Sequence, residues 1–512
     1  MTDQAPKLSV VRNSNKQFAD NFGLLFLKLW KTLISELKEK NQDTHRPLRK
    51  EGIMENESKS SAATDITNKL SLGLKLGYGI GDIGCNIFIV STGMFLLFFL
   101  TDVMGVEPAL AGLVLLFPKL WDVISDPIMG GISDITHSKM GRRRPYLLYS
   151  SIPFGLVFFA LFIAPHYESE TLRIIHVGML FALGCTVFTI YNVPYSSMVA
   201  EMTDDYNERM SVTSFRMVGS SIGVLLAGGL AMALVEMGGG GESGFRFMGM
   251  IFGVLITVFC LSSVWGTRNA RFLRADNKKT AFWEQAKIAF SNRPFKVLMA
   301  MYFIQSVAIG VLMAGQIYYV KYVMKMPEAN VGLVSAILFI TAIVFIPFWV
   351  KVGIKLGKIK AYTIGLSLLT VTLLSLFFSK PSQSGIFFFQ MFILGIGFSS
   401  FQLFPFSMLP DTIEFDEMKS GMRREGIFSG VWASGQKSAY AIGPSIVGFT
   451  LSLSGYMSTG EQPESLATGI RVVFCVFTAA LLFISLIPFQ KYELTEERFE
   501  EIKKQIKDKS RA

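Results

Sequence analysis

Apolar residues in this chain fall in long unbroken runs, not in the alternation of a strand or the single stripe of a soluble helix. From residue 70 onward, about twelve runs reach the roughly 20 residues a helix needs to cross a bilayer. They lie near 76–100, 108–133, 146–165, 172–199, 212–236, 246–266, 296–324, 329–351, 361–379, 384–409, 427–455 and 467–488. The polar stretches between them are of two kinds. Basic loops follow the second run (Lys139, Arg142, Arg143, Arg144), the sixth (Arg268, Arg271, Arg274, Lys278, Lys279, Lys287, Arg293) and the eighth (Lys351, Lys355, Lys358, Lys360). The opposite loops, such as Thr101–Pro108 and Met237–Gly244, are nearly free of Lys and Arg. Basic loops are retained on the cytoplasmic side during insertion, so an even number of spans puts both termini there, in a cytoplasmic (inner) membrane.

Composition agrees with an all-α membrane protein. The 512 residues are 51% hydrophobic and 17% charged, against about 25% charged in soluble chains, and the mean hydropathy is +0.42. The net charge of +10 belongs to the loops and calls for no nucleic-acid partner. Cys85, Cys185, Cys260 and Cys475 all sit in apolar runs without metal-like spacing and read as small buried hydrophobes. His45, His137, His166 and His176 are dispersed, so no histidine relay or metal site is expected, and no cofactor is implied. No nucleotide-binding motif supports an ATP-driven pump.

The expected organisation is an N-terminal cytoplasmic extension (1–69), a six-helix half (70–266), a cytoplasmic central loop (267–295), a second six-helix half (296–490) and a charged cytoplasmic tail (491–512). Within the extension, residues 23–37 have helical periodicity but are too short to span, which predicts an amphipathic helix at the membrane interface. Translation from Met54, with residues 1–53 not a true extension, is the other reading of that region. Gly131 with Arg142–Arg144 after the second span, and Gly353 with Lys355–Lys360 after the eighth, echo each other in the two halves. Such parallel repeats bind substrate near the midplane between halves.

The sharpest chemical feature is Asp122 and Asp126, four residues apart inside an apolar span. The spacing puts both on one helical face. Two carboxylates that close in low dielectric do not both stay ionised without a cation, and a charge at that depth is a functional residue by default. The pair reads as a seat for Na⁺ or a proton. Lys437, deep in the eleventh span, also requires a counter-charge.

These residues resemble the glycoside-pentoside-hexuronide:cation symporter family of the major facilitator superfamily, over about residues 70–490. The resemblance rests on Tyr78-Gly79-Ile80-Gly81, Thr101-Asp102-Val103, Trp121-Asp122 through Asp126-Pro127, Gly141-Arg142 before Pro145, Val193-Pro194-Tyr195, and Pro410-Asp411-Thr412 with Gly421. It implies a twelve-helix, two-half fold, a coupling cation at Asp122 and Asp126 with Ser125 and Thr189, and Lys437 facing that pair at the edge of the substrate site. It further implies a sugar site in which the family's two carboxylates are replaced here by Asn86 and Asn192, beside Arg216. With those carboxylates absent, Arg216 is expected to be less neutralised, which favours an acidic sugar such as a hexuronide or a sulfonated sugar. Tyr195 and Trp432 are expected as stacking platforms for the sugar ring; Asp82, near a span end, is given no role.

The protein is therefore expected to be a monomeric secondary transporter whose partners are a small-molecule substrate, a glycoside by preference, and membrane lipid. Ion pairs between Asp134 and Arg142–Arg144, and between the acidic run Asp411–Glu417 and Arg423–Arg424, are expected as gates, with plain solvated loop charge the other reading. Two other functions stay open: a cation-coupled lysolipid transporter, since a related animal branch moves lysolipids, and a non-transporting membrane sensor or scaffold.

Overall fold

A computed structural model describes residues 70–494 except Asp204, residues 271–281, Arg423 and Thr459, and it also describes Arg498 and Glu501. The extension 1–69, with its predicted amphipathic segment 23–37, and most of the tail lie outside the described residues. Every described element is helical, as a chain in hydrocarbon requires: a helix satisfies each backbone N–H and C=O within its own segment. Twelve long helices run in order as α1 (Leu72–Val103), α2 (Pro108–Ile135), α3 (Arg144–Leu161), α4 (Glu170–Met202), α5 (Tyr206–Met237), α6 (Gly241–Gly266), α7 (Arg293–Val323), α8 (Asn330–Leu356), α9 (Lys358–Leu376), α10 (Ser384–Ser420), α11 (Glu425–Leu453) and α12 (Glu464–Phe489). A ten-residue helix, Phe282–Ser291, precedes α7. Side chains punctuate the chain where the pattern breaks: Ser71 accepts from the Leu74 amide at the start of α1, and Asn292 from the Phe295 amide at the start of α7.

The same packing occurs twice. In the first half α1 packs on α5, α2 on α4, and α3 on α4 and α6; in the second, α7 packs on α11, α8 on α10, and α9 on α10 and α12. Across the halves, α2 meets α11, α5 meets α8, and α1 meets α7. Eleven of the twelve helices are long and apolar enough to cross a membrane by length and composition. The exception is α11, which carries Lys437 and several polar residues and packs between α2 and α7.

A duplication that the loop echo only hinted at is explicit at the ends of α1 and α7. Both close in a π-helical turn, Phe99–Val103 and Tyr319–Val323. At a constant offset of 220 residues, Val103-Met104, Ala109 and Gly112-Leu113-Val114 recur as Val323-Met324, Ala329 and Gly332-Leu333-Val334. Backbone geometry follows the sequence: Gly105 has φ +66 and its counterpart Lys325 has φ +52, a left-handed conformation rare for a residue with a side chain.

At this end, where the loops are poor in basic residues, the halves are fastened together. Lys321 of α7 pairs with Asp102 of α1 at 2.8 Å, Tyr322 donates to the same carboxylate at 2.5 Å, and the Thr101 and Tyr318 hydroxyls lie 2.7 Å apart. Burial alone would raise the Glu107 carboxyl, but hydrogen bonds from Ser452 of α11 and from the amides of Leu110 and Ala109 outweigh it and hold the group below the usual range. Small residues bring the helices close. Ser445 of α11 donates to the Gly112 carbonyl at 2.8 Å, and a Cβ on Gly112 would stand 2.8 Å from the Ser445 Cα. At the matching position, Gly332 of α8 lies directly against the Gly229 carbonyl of α5.

Candidate functional site

Midway along α2, Pro127 lacks the amide that would have bonded to the Val123 carbonyl, so an acceptor is freed beside Asp126. Asp126 accepts from the Thr189 hydroxyl of α4 at 2.8 Å and from the Lys437 ammonium of α11. Ser125 donates to Thr189 at 3.3 Å, and Lys437 also lies over the Phe188 ring, 5.3 Å from its centroid. The structure thus brings Asp126, Ser125, Thr189 and Lys437 into one cluster that joins the two halves.

Asp122 is the odd member. It is 1% exposed, and among the described residues neither carboxylate oxygen accepts from an N–H or O–H group; its one side-chain hydrogen-bonding neighbour is the buried Cys185 thiol of α4. The charged groups acting on it are Lys119, Lys437 and Asp126. Lys119 is itself held between two aromatic faces, 5.3 Å from the Phe88 centroid and 5.4 Å from that of Phe181. Two acidic and two basic side chains therefore share an apolar setting, but only one carboxylate is engaged. Among the described residues no group of three His, Cys, Asp or Glu gathers for a tightly held metal. The donors on hand are two carboxylates, two hydroxyls and a loosened carbonyl, which suit a hard monovalent cation or a proton.

The second cluster is built on α1 and α5. Arg216 of α5 pairs with Asp82 of α1 at 3.2 Å, and Asn86 donates to the Asp82 backbone carbonyl at 2.8 Å and to its carboxylate at 3.3 Å. Three close approaches of glycine set this geometry: Gly79 against the Phe215 carbonyl, Gly219 against the Gly79 carbonyl, and Gly223 against Ile83 and Asn86. A Cβ on Gly223 would sit 2.6 Å from the Ile83 carbonyl oxygen and 2.8 Å from the Asn86 Cβ. Gly223→Leu should therefore destabilise the protein by about 1–3 kcal/mol through overpacking, seen as a lower midpoint in thermal unfolding of purified protein. Gly93→Ala, at a position with nothing within 4 Å, should leave the midpoint unchanged or slightly raised.

The two clusters are linked through aromatic packing: Lys437 lies over Phe188, which stacks at 5.4 Å on Phe88 of α1, in the same helix as Asp82 and Asn86. Arg216, Lys437 and Asp126 keep 29, 22 and 17% side-chain exposure at mid-helix, so both clusters border accessible space. Asn192 on α4 is half-buried, and its side chain makes no hydrogen bond among the described residues.

Several expectations are corrected. Arg216 is not left un-neutralised: Asp82, to which no role was given, is 5% exposed and supplies its counter-charge. The signal was present in the sequence, since Asp82 and Asn86 share a face at i, i+4 and a buried arginine demands an anion. Neither proposed aromatic platform has a face to offer. Tyr195 is fully buried, stacked on Tyr78 at 4.5 Å, with its hydroxyl donating to the Tyr78 carbonyl at 2.6 Å. Trp432 is 2% exposed and stacked on Tyr302 at 4.2 Å. Lys437, expected to face the aspartate pair, does pair with Asp126 of the cation cluster.

The expected gate charges at the basic end pair within halves. Arg143 bonds Asp134 and, at 2.9 Å, Glu201, which the sequence reading missed. Arg142 also reaches Glu201 at 2.9 Å, while Arg144 donates to the Thr267, Arg268 and Ala270 carbonyls that end α6. In the second half, Asp411 pairs with Lys358 at 2.7 Å and Asp416 with Arg424 at 3.7 Å.

Comparison with known proteins follows the same lines. The family described as MFS/sugar transport protein matches residues 77–496. The chain is 29% identical over 456 residues to the uncharacterized symporter YnaJ of Bacillus subtilis, covering 86% of this chain and 96% of that one. It is 28% identical over 451 residues to the putative glycoside/cation symporter YagG of Escherichia coli, covering 86% and 95%. Identity to a putative sulfoquinovose importer of Salmonella typhimurium is 27% over 446 residues, covering 85% and 92%. In fold, the chain is similar to a bacterial homologue of the human lysosomal transporter Spinster in an inward-facing, unoccupied conformation. There the TM-score is 0.61 at 15% identity, covering 83% of this chain and 98% of that one. The nucleoside transporter NupG gives a TM-score of 0.58 at 13% identity, covering 81% and 99%.

Proposed function

The chain belongs to the MFS/sugar transport protein family and is a multi-pass membrane transporter of sugars, not an enzyme; from that premise we propose that it is a cation-coupled glycoside symporter working by alternating access. The observation that carries this reading is Asp122, a buried carboxylate with no N–H or O–H partner among the described residues and only the weak Cys185 thiol beside it, next to an Asp126 already engaged by Lys437 and Thr189. An unpartnered buried carboxylate costs several kcal/mol, and a bound Na⁺ or proton offsets that cost. A cation seated at Asp122 also competes with Lys437 for Asp126. Cation binding then loosens an ion pair that joins α2 to α11, and so changes the relation of the halves. Coupling follows when cation and sugar both prefer the same arrangement of those helices.

The cargo site is the Asp82–Arg216 pair with Asn86 and Asn192. A carboxylate accepts from a sugar hydroxyl and a guanidinium donates to one, so the pair as a unit matches a neutral glycoside. The name borne by YagG, a putative glycoside/cation symporter, supports that reading. Relatives named as putative sulfoquinovose importers favour a second reading, in which a sulfonated or uronic sugar displaces Asp82 from Arg216. The basic loops are assigned to the cytoplasm by their Lys and Arg content. The fastened end then faces outward, and both termini lie on the cytoplasmic side of the inner membrane in a monomeric carrier.

Uptake by proteoliposomes under imposed Na⁺ or proton gradients tests both parts, with neutral glycosides, hexuronides, sulfonated sugars and lysolipids as candidates. Gradient-driven uptake of a neutral glycoside, lost in Arg216→Ala, is the expected result. Uptake of acidic sugars alone would favour the second reading. Lysolipid uptake alone, or uptake indifferent to both gradients, would overturn the proposal.

A further inference from the structure

At the basic end of the molecule, a cavity of about 640 Å³ opens between the start of α7, the end of α12 and the short helix Phe282–Ser291. Its walls are of two kinds. Phe290, Ile487 and Pro488 supply an apolar side, and Phe290 and Ile487 are exposed. Arg293, Lys296 and Lys491 supply a cationic side. Of these, Arg293 reaches the exposed Glu493 at 3.1 Å, while Lys296 and Lys491 are exposed and have no ion-pair partner among the described residues.

We propose that this cavity binds an anionic phospholipid, its phosphate between Lys296 and Lys491 and its acyl chains against Phe290, Ile487 and the flanks of α7 and α12. The argument is one of position and complementarity. The cavity lies where two membrane helices leave the apolar layer, at the level of headgroups. A soluble anion would use the ammonium groups but not the exposed apolar wall beside them, whereas a neutral lipid would use the wall but leave both ammonium groups unneutralised. Only a lipid with a charged head matches both. Lysine near a membrane surface attracts anionic headgroups by an amount that is modest singly and adds across a cluster, and basic pockets between membrane helices are suited to such heads. The site is remote from Asp122 and Arg216 in sequence and is built from the end of the central loop, the second half and the first residue of the tail, with nothing from the first half. Its occupancy would brace α7 against α12 and leave the cation cluster untouched.

The test uses the full-length protein, delipidated in detergent and titrated with dioleoyl phosphatidylglycerol or dioleoyl phosphatidylcholine, with bound lipid counted by native mass spectrometry. Phosphatidylglycerol should be retained and phosphatidylcholine should not. Lys296→Gln/Lys491→Gln should weaken retention about tenfold or more. A control, Lys351→Gln/Lys355→Gln, removes two exposed lysines from the same end of the molecule and should change little. The single variants should each lose part of the effect, and they keep the result readable if the double variant fails to fold. Competition by inorganic phosphate alone would replace the lipid with a soluble anion and overturn the proposal. Equal loss in the control, or full retention in the double variant, would overturn it as well. The readout is lipid binding and not uptake, so its outcome is independent of the symport reading.

Discussion

Asp122→Asn should abolish cation-stimulated uptake while leaving the purified, cation-free protein as stable as before, or more stable. The two effects have opposite signs because the wild-type carboxylate is buried with only the weak Cys185 thiol, and no N–H or O–H donor among the described residues, to offset its charge. Exchanging a charge for an amide removes a desolvation cost from the empty state. It also removes the charge that attracts the cation, and losing one partner of a buried charge pair costs about 3–5 kcal/mol, more than a hundredfold in binding. Asp126→Asn should behave differently. It strands Lys437, whose ammonium then faces a neutral amide, so the empty protein should lose stability by about 2 kcal/mol after allowance for partial exposure of the pair. Thermal unfolding with and without NaCl, alongside uptake, separates the two variants. If both retained wild-type cation dependence, the cluster would have no part in coupling.

Oxidation of Gly105→Cys/Ser458→Cys should stop transport completely, and a reductant should restore it. A Cβ built on Gly105 lies 3.8 Å from the Ser458 Cβ, the usual separation in a disulfide. The bond would tie the loop after α1 to the loop after α11 and fix the halves as they stand. Gly105 is left-handed at φ +66, so a cysteine there costs about 1–2 kcal/mol even when reduced. Each single variant therefore serves as the baseline for the double. The native cysteines Cys85, Cys185, Cys260 and Cys475 are all buried and should not compete under brief oxidation. Full activity in the crosslinked protein would show that these loops need not separate during transport.

What could be read from the sequence depended on whether a residue's energetics were decided locally. Asp122, Asp126 and Lys437 stood out because a charge in an apolar run has no cheap solution, and the structure brings Asp126 and Lys437 together. Thr189 and Ser125 followed from the resemblance, and both lie in the same cluster. Asp82 was overlooked because its place near a span end suggested water, whereas the bundle folds Arg216 onto it. Tyr195 and Trp432 misled for the opposite reason. An aromatic near a site does not reveal which ring covers it, and here Tyr78 and Tyr302 do. The fastening of Asp102 to Lys321 joins residues 219 apart, a pairing that only the arrangement of the two halves decides.

The twofold repetition of the closed end is chemically lopsided. Gly112 and Gly332 hold matching places in two seams, α2 against α11 and α5 against α8, but the ion pair of Asp126 and Lys437 belongs to the first seam alone. On the proposed coupling, the first seam senses the cation and the other follows. Because the seams join the same two bodies, neither can part far without the other, and the partly opened forms through which ions would leak stay sparsely populated. A bulky residue at Gly332 should thus loosen the carrier without changing which ion it obeys, whereas a change beside Lys437 should alter the ion and leave the α5–α8 seam intact.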